Sequence, residues 1–160
     1  MEKPSYNTES STEGLLYVFV SKNQDKNIKK AIAYLPLNQS SDICELIFGD
    51  VKEDATIDVQ AISNNQDMPI VLNTVIDTLH QFFELYPSKT VIFTGSSESR
   101  NRLYRAVISK TISEASKKFD IFGVTFDDKI ERFVENKNYF AFQICLKSWK
   151  NFPFPISILR

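Results

Sequence analysis

Residues 68–105 read MPIVLNTVIDTLHQFFELYPSKTVIFTGSSESRNRLYR, and this stretch predicts a helix, a strand and a second helix. Apolar residues recur every three or four positions from Leu72 to Tyr86, which is the spacing of one buried helix face. Pro87 ends this helix because the residue before a proline disfavours the helical conformation. The run Thr90–Thr94 is typical of a short buried strand, and the second helix is predicted to open near Ser97–Ser99.

Strands are predicted on both sides of this central stretch. Before it, apolar runs and one segment of alternating polarity predict four strands, at 15–20, 28–37, 43–48 and 57–62. After it, three runs predict strands at 121–126, 130–134 and 139–147. The second helix carries an apolar stripe from Leu103 to Phe119. The order β-β-β-β-α-β-α-β-β-β predicts an α+β fold with a single mixed β-sheet of about six to seven strands and two helices.

The composition is that of an ordinary globular domain. The chain has 160 residues, of which 42% are hydrophobic and 24% charged, and this excludes a disordered chain, a collagen-like fibre and a coiled coil. We expect a flexible, polar N-terminal lead-in at residues 1–13 and a single α+β domain at 14–148. Residues 149–160 are predicted to form an apolar, proline-containing C-terminal tail.

The charges are distributed unevenly along the chain. Residues 1–85 hold 6 Lys/Arg and 13 Asp/Glu, a net charge of −7, whereas residues 86–160 hold 13 and 7, a net charge of +6. Such a division is found in proteins with a basic surface for an anionic partner, but it also arises when two halves pack together and neutralise each other. We favour neutralisation, and the overall net charge of −1 argues against a uniformly basic nucleic-acid binder.

Cysteine usage and hydropathy predict a cytoplasmic location and no membrane partner. Cys44 and Cys145 lie far apart among apolar residues, and no CxxC pair is present, so buried reduced thiols are expected. Residues 1–13 lack the basic and apolar regions of a signal peptide. No apolar run approaches the roughly 18–20 residues that span a bilayer.

The strongest candidate for ligand binding is the turn from the central strand into the second helix. Unpaired N–H groups at a helix start favour anions, and hydroxyl and guanidinium groups follow here in close succession. The candidate residues are Gly95, Ser96, Ser97, Arg100, Arg102 and Arg105. The turn lacks the P-loop and dinucleotide-binding patterns. The alternative is that the serines only cap the helix while the arginines pair with acids, and both interpretations stay open.

A second polar loop precedes the first helix and supplies Asn64 and Asn65 as candidate ligand-binding residues. If strands 57–62 and 90–94 lie side by side and parallel, this loop and the Gly95 turn open at the same edge of the sheet. The alternative is an Asx turn that caps the helix, which we favour for the loop taken alone.

Evidence for catalysis is weaker. Asp50, Asp58 and Asp67 could hold Mg²⁺ in a metal-dependent hydrolase or nuclease, but no spacing marks a metal site. His80 is the only histidine, and no nucleophile lies in a recognisable setting beside it in the sequence. We therefore predict no catalytic residue, no metal ligand set and no cofactor. Core packing is favoured over base stacking for four aromatic residues of the later strands, namely Phe122, Phe126, Phe140 and Phe142.

Five motifs together resemble a family of small uncharacterised proteins from Bacteroidota. They are Phe48-Gly49-Asp50, Ser63-Asn64-Asn65 with Asp67-Met68, Tyr86-Pro87, Gly95-Ser96 with Arg100-Asn101-Arg102-Leu103-Tyr104, and Asn138-Tyr139 with Phe142. The resemblance covers residues 14–147 and implies a small cytosolic domain, with no established activity. Members typically have Gly-Ser-Thr at 95–97 and Arg-Thr-Arg at 100–102, and both differences keep polar side chains.

Together these features favour a non-enzymatic binding module whose anion or phosphate site lies in the strand-turn-helix segment Gly95–Arg105. The partners that fit are a phosphorylated ligand, a nucleic acid or another protein. The alternative is the metal-dependent hydrolase with Asp50, Asp58 and Asp67.

Overall fold

The computed structural model describes residues 4–23, 25–37, 42–59, 67–94, 98–115 and 118–147, with the backbone alone at 99, 100, 114 and 115. The described strands and helices are β1 (Glu9–Ser10), β2 (Leu16–Lys22), β3 (Asn27–Pro36), β4 (Ile43–Val51), β5 (Ile57–Asp58), α1 (Met68–Leu85), β6 (Thr90–Thr94), α2 (Glu98–Ala115), β7 (Phe119–Val124), β8 (Ile130–Arg132) and β9 (Ala141–Leu146). Nine strands form a mixed sheet in the order β1-β2-β3-β4-β6-β9-β7-β8, with β5 paired to β4. The α+β class is confirmed.

The predicted count of about six to seven strands is too low. The predicted order lacks β1, a two-residue strand in a polar segment where neither an apolar run nor alternation marks it. The apolar stripe predicted for the second helix is also too long, because α2 ends at Ala115 and Phe119 begins β7. In addition, β6 has β4 and β9 as its neighbours, so the strand at Ile57–Asp58 does not lie beside it.

The chain divides into two compact units, and the first comprises residues 1–34 and 47–85. Here α1 buries the apolar side that its sequence spacing predicts, including Leu79 and Phe82 at 0% exposure. The Tyr34 ring of β3 stacks on Phe82 with centroids 4.3 Å apart, and its hydroxyl lies 2.8 Å from Thr78 Oγ1. This packing fixes α1 against the sheet within the unit.

The segment ahead of β1 is bonded along the first turns of α1. Tyr6 N donates to Thr74 Oγ1 at 2.9 Å, and Asn73 Nδ2 donates to Pro4 O at 2.8 Å. The Tyr6 hydroxyl donates to Asp67 Oδ2 at 2.6 Å. These bonds hold residues 4–6 beside the start of α1.

The second unit comprises residues 35–46 and 86–160. Its buried centre is β6, which pairs in parallel with the first residues of β4 and antiparallel with β9. Tyr104 of α2 packs on Phe93 of β6 with ring centroids 5.3 Å apart. A Cβ atom at Gly123 would lie 2.3 Å from the Tyr139 ring, so only glycine allows this approach. None of the described helices is long and apolar enough to cross a membrane.

Candidate functional site

The predicted anion site falls partly within the described residues. Gly95, Ser96 and Ser97 lie outside them, as do Asn64 and Asn65 of the other loop and the Arg100 side chain. Arg102 points to solvent with its side chain 70% exposed, and its Nη2 lies 3.8 Å from Glu98 Oε1 one helical turn earlier. An exposed pair of this kind contributes about 0.3–0.5 kcal/mol, so Arg102 is only loosely held.

Arg105 lies in a cavity of about 250 Å³ beside the first turns of α2. Three helix residues line one side of this cavity, and residues that flank β7 and β9 line the other. The lining residues are Glu98, Asn101, Arg105, Phe126, Asn138 and Tyr139. We call this cavity the α2 pocket. Its volume is below the roughly 300–1,000 Å³ of pockets for drug-sized ligands, so it fits a small molecule.

The Arg105 guanidinium is oriented but not neutralised. Its Nη1 donates a hydrogen bond to Asn138 Oδ1, which fixes the side chain toward the pocket wall. Among the described residues, no carboxylate forms an ion pair with Arg105. A guanidinium has five N–H donors in a planar fork that matches carboxylate and phosphate groups, so an anion in the pocket could be bound in a bidentate manner.

Asn101 also lines the α2 pocket, and one of its polar atoms is buried. Its Oδ1 atom is shielded from solvent and accepts no hydrogen bond from the described part of the chain. An unpaired buried acceptor costs about 1–3 kcal/mol, and such atoms are uncommon in folded proteins. Because solvent does not reach this atom, a ligand in the pocket could bond to it only after the side chain reorients.

Phe126 gives the pocket an aromatic surface. The prediction that Phe126 packs in the core is wrong, because the residue is 64% exposed. It follows β7 in a turn, where the strand periodicity no longer directs its side chain inward. The ring makes an edge-to-face contact with Phe140, with centroids 6.4 Å apart, and an exposed ring of this kind can stack on a planar ligand. Phe122 and Phe142 are buried as predicted, and Phe140 is half-buried.

Tyr139 forms an uncharged wall of the α2 pocket. It is 1% exposed, its hydroxyl donates to Glu131 Oε1 at 2.8 Å and it accepts from Val134 N at 3.0 Å. Burial, followed by the bond to the Glu131 carboxylate, raises the pKa of Tyr139 to about 12. Lys137 and Tyr139 both donate hydrogen bonds to Glu131. These bonds lower the pKa of the Glu131 carboxyl, and the bond from Lys137 has the larger effect. The phenol therefore stays protonated at neutral pH.

The raised pKa of Tyr139 predicts a loss of stability in strong alkali. An unfolded tyrosine ionises near pH 10, so the stabilisation by Tyr139 is fully present below pH 10 and is lost as the pH rises toward about 12. A shift of this size corresponds to roughly 2–3 kcal/mol. Urea unfolding gives the free energy of unfolding of wild type and of Tyr139→Phe. We expect wild type to be the more stable of the two at pH 9 and this difference to be smaller at pH 12. A difference that does not change with pH would contradict this assignment.

The three acids predicted as metal ligands in the hydrolase alternative each have a hydrogen-bond partner or a strand partner within the protein. Asp50 and Asp58 are neighbours across the β4–β5 pair, and Asp50 Oδ1 accepts from Lys30 Nζ at 2.6 Å. Asp67 accepts hydrogen bonds from the hydroxyls of Tyr6 and Ser21. Within the described ranges, no three His, Cys, Asp or Glu side chains are grouped so that they could hold a metal ion.

Several residues of these clusters were not predicted from sequence. Asn101, Asn138 and Tyr139 were only part of the motifs of the family resemblance, and that pattern was the one available signal for them. Lys30 is 5% exposed, and its ammonium lies 5.5 Å from the Phe48 ring centroid. Its strand pattern does not predict a buried charge, because lysine at such a position normally faces solvent.

Comparison with known proteins gives a family and no activity. The model of DUF6934, a family of unknown function, matches residues 2–147, so the chain belongs to this family. No curated protein and no solved structure matches the chain. The expected membership of an uncharacterised family is thereby confirmed, whereas the Bacteroidota origin stays a prediction.

Proposed function

We propose that this DUF6934 member is a binding module whose α2 pocket takes a small phosphorylated ligand with a planar ring, a ligand of the nucleotide class. The observation that carries the proposal is Arg105, a cation that points into a cavity and has no acidic partner among the described residues. Phosphate is a natural partner for the planar guanidinium fork. The remaining pocket atoms suit the rest of such a ligand.

Asn101 and Phe126 support a ring rather than a bare phosphate. Asn101 lines the pocket, and after a reorientation of its side chain the Oδ1 atom, which has no partner among the described residues, can accept from the amino group of a nucleobase. The exposed Phe126 ring can stack on the base, an interaction of about 1–3 kcal/mol. The pocket volume of about 250 Å³ favours a ligand no larger than a mononucleotide, part of which extends out of the pocket, over a nucleic-acid strand, which needs an open groove.

The acidic residue at the pocket does not oppose this assignment strongly. Glu98 has an 86% exposed side chain and forms an ion pair with Arg102, so its charge is screened by solvent and by the pair. Gly95, Ser96, Ser97 and Arg100 immediately precede or open α2, and they remain proposed contributors to the phosphate end of the site. We keep the cytoplasmic location as a proposal, which the burial of both cysteine thiols supports.

A binding function is favoured over the metal-dependent hydrolase. The hydrolase needs Asp50, Asp58 and Asp67 to share one ion, whereas Asp50 is paired with Lys30 and Asp67 is bonded to Tyr6 and Ser21. Each pairing occupies one of the two carboxylate oxygens that a metal could use.

A thermal-shift panel tests the proposed ligand class. The ligands are adenosine monophosphate, adenosine, inorganic phosphate, a short single-stranded DNA and Mg²⁺. A ligand present at 100 times its dissociation constant stabilises the fold by about 2.7 kcal/mol, which raises Tm by about 5–10 °C in a chain of this size. We expect the mononucleotide to raise Tm more than adenosine or phosphate does, and Phe126→Ala to reduce that rise. A response to Mg²⁺ alone would instead favour the hydrolase.

A further inference from the structure

A second cavity lies in the first unit, on the outer side of the β2 edge. It has a volume of about 590 Å³ and lies between β2 and the segment that precedes β1. We call it the N-terminal groove. The lining residues on which the argument depends are Glu9, Val18, Val20, Lys22 and Lys29.

On the side of β2 that faces the groove, the residues before and after Val20 have bonding partners. Leu16 O accepts from Ser11 N at 2.9 Å, and Val18 is in register with Glu9 of β1. At the other end, Lys22 N donates to the Tyr6 hydroxyl at 3.0 Å, and Lys22 O lies 3.3 Å from that hydroxyl, whose one proton is donated to Asp67. Alternate residues of a strand bond to opposite neighbours, so Leu16, Val18, Val20 and Lys22 all face this side.

Val20 is the residue left between these bonded positions. Its N–H and C=O face the groove, and no described residue forms a hydrogen bond with them there. The residue is 37% exposed and lines the groove. A peptide group offers a matching acceptor and donor, which is how an extended segment adds to the edge of a sheet.

The charges around Val20 select the kind of segment. Lys29 is the cross-strand partner of Val20, and Lys22 lies two residues further along β2 on the same face. Among the lining residues that the structure describes, Glu9 is the one acid, and two lysines outnumber it. We propose that the N-terminal groove binds an extended acidic peptide segment of a partner protein, which pairs with the Val20 backbone and places its carboxylates against Lys22 and Lys29.

A peptide-binding assay tests this proposal directly. The probe is a fluorescein-labelled hexapeptide of alternating Glu and Val. One control is the same hexapeptide with Lys in place of Glu, and the other is the probe with its central amides N-methylated. Wild type should bind the acidic peptide saturably, while the basic and the N-methylated peptides bind about tenfold more weakly or not at all. Equal binding of the acidic and basic peptides, or no loss on N-methylation, would overturn the proposal.

Protein variants locate the binding in the groove. Lys22→Glu/Lys29→Glu should weaken acidic-peptide binding about tenfold, because two attractive surface pairs become repulsive. The matched variant Lys26→Glu/Lys52→Glu changes the net charge equally, outside the lining of the groove, and should leave binding within about twofold. Val20→Pro removes the groove-facing N–H and should also weaken binding. Equal losses of peptide affinity in the two double variants would contradict the assignment. If Val20→Pro fails to fold, the N-methylated peptide tests the backbone pairing on wild type instead.

Discussion

Replacing Arg105 with Gln is expected to weaken mononucleotide binding about 10- to 100-fold. A hydrogen bond to a charged group contributes about 1.5–3 kcal/mol, and each 1.4 kcal/mol is a factor of ten in affinity. The substitution removes the cation of the α2 pocket that has no acidic partner among the described residues, yet it keeps a polar side chain near Asn138. Isothermal titration calorimetry of both proteins measures the loss.

Two matched variants show whether the loss is specific to the pocket. Arg102→Gln removes an arginine from the same helix whose side chain is 70% exposed, and we expect it to change affinity less than about threefold. Arg105→Lys keeps the charge but loses the planar fork, so its affinity should lie between wild type and Arg105→Gln. If Arg102→Gln weakened binding as much as Arg105→Gln, the ligand would not be held in the α2 pocket.

Lys30→Met is expected to destabilise the fold by about 2–4 kcal/mol, which lowers Tm by about 10 °C. Lys30 Nζ lies 2.6 Å from Asp50 Oδ1, and the two side chains are only 6% and 22% exposed. Removal of one partner leaves a largely buried carboxylate without its cation. The partial exposure of Asp50 keeps the expected cost below that of a fully buried pair. Urea unfolding at neutral pH measures the change.

The neighbouring lysine provides the control for this prediction. Lys29 precedes Lys30 in β3 but faces solvent, so Lys29→Met should change stability by less than about 0.5 kcal/mol. Lys30→Met/Asp50→Asn removes both charges and should recover part of the stability that Lys30→Met loses. A loss in Lys30→Met no greater than in Lys29→Met would show that the ion pair does not stabilise the fold.

The elements with strong periodicity were predictable from sequence. α1 carries an apolar stripe over five turns and ends before Pro87, and the structure has it at Met68–Leu85. β6 is a largely apolar run and matches its prediction at Thr90–Thr94. β1 has no such signal, because its two polar residues become a strand only by pairing with Tyr17 and Val18 of β2. The parallel partner of β6 was also not predictable, since strand order depends on contacts distant in sequence.

The candidate sites were predictable only where one short segment holds the residues. Arg102 and Arg105 belong to a local strand-turn-helix pattern that marks both as candidates, but only Arg105 lines the α2 pocket, whereas Arg102 points to solvent. Asn138 meets Arg105 across 33 residues, a contact that no local spacing indicates. Lys30 and Asp50 lie on different strands, and their burial follows from packing rather than from residue type. Phe126 was assigned to the core because its run is apolar, whereas the turn after β7 exposes it.

Nuclear magnetic resonance of the α2 pocket tests the central claim most directly. The signals are the Arg105 Nε–H and the Asn101 side-chain amide of ¹⁵N-labelled protein, assigned through Arg105→Gln and Asn101→Ser. On titration with adenosine monophosphate, we predict that both signals shift saturably with one dissociation constant, while the signal of the exposed Arg102 stays in place. If both signals stay unmoved at nucleotide concentrations that saturate the thermal shift, the ligand binds elsewhere and the α2 pocket is not the functional site.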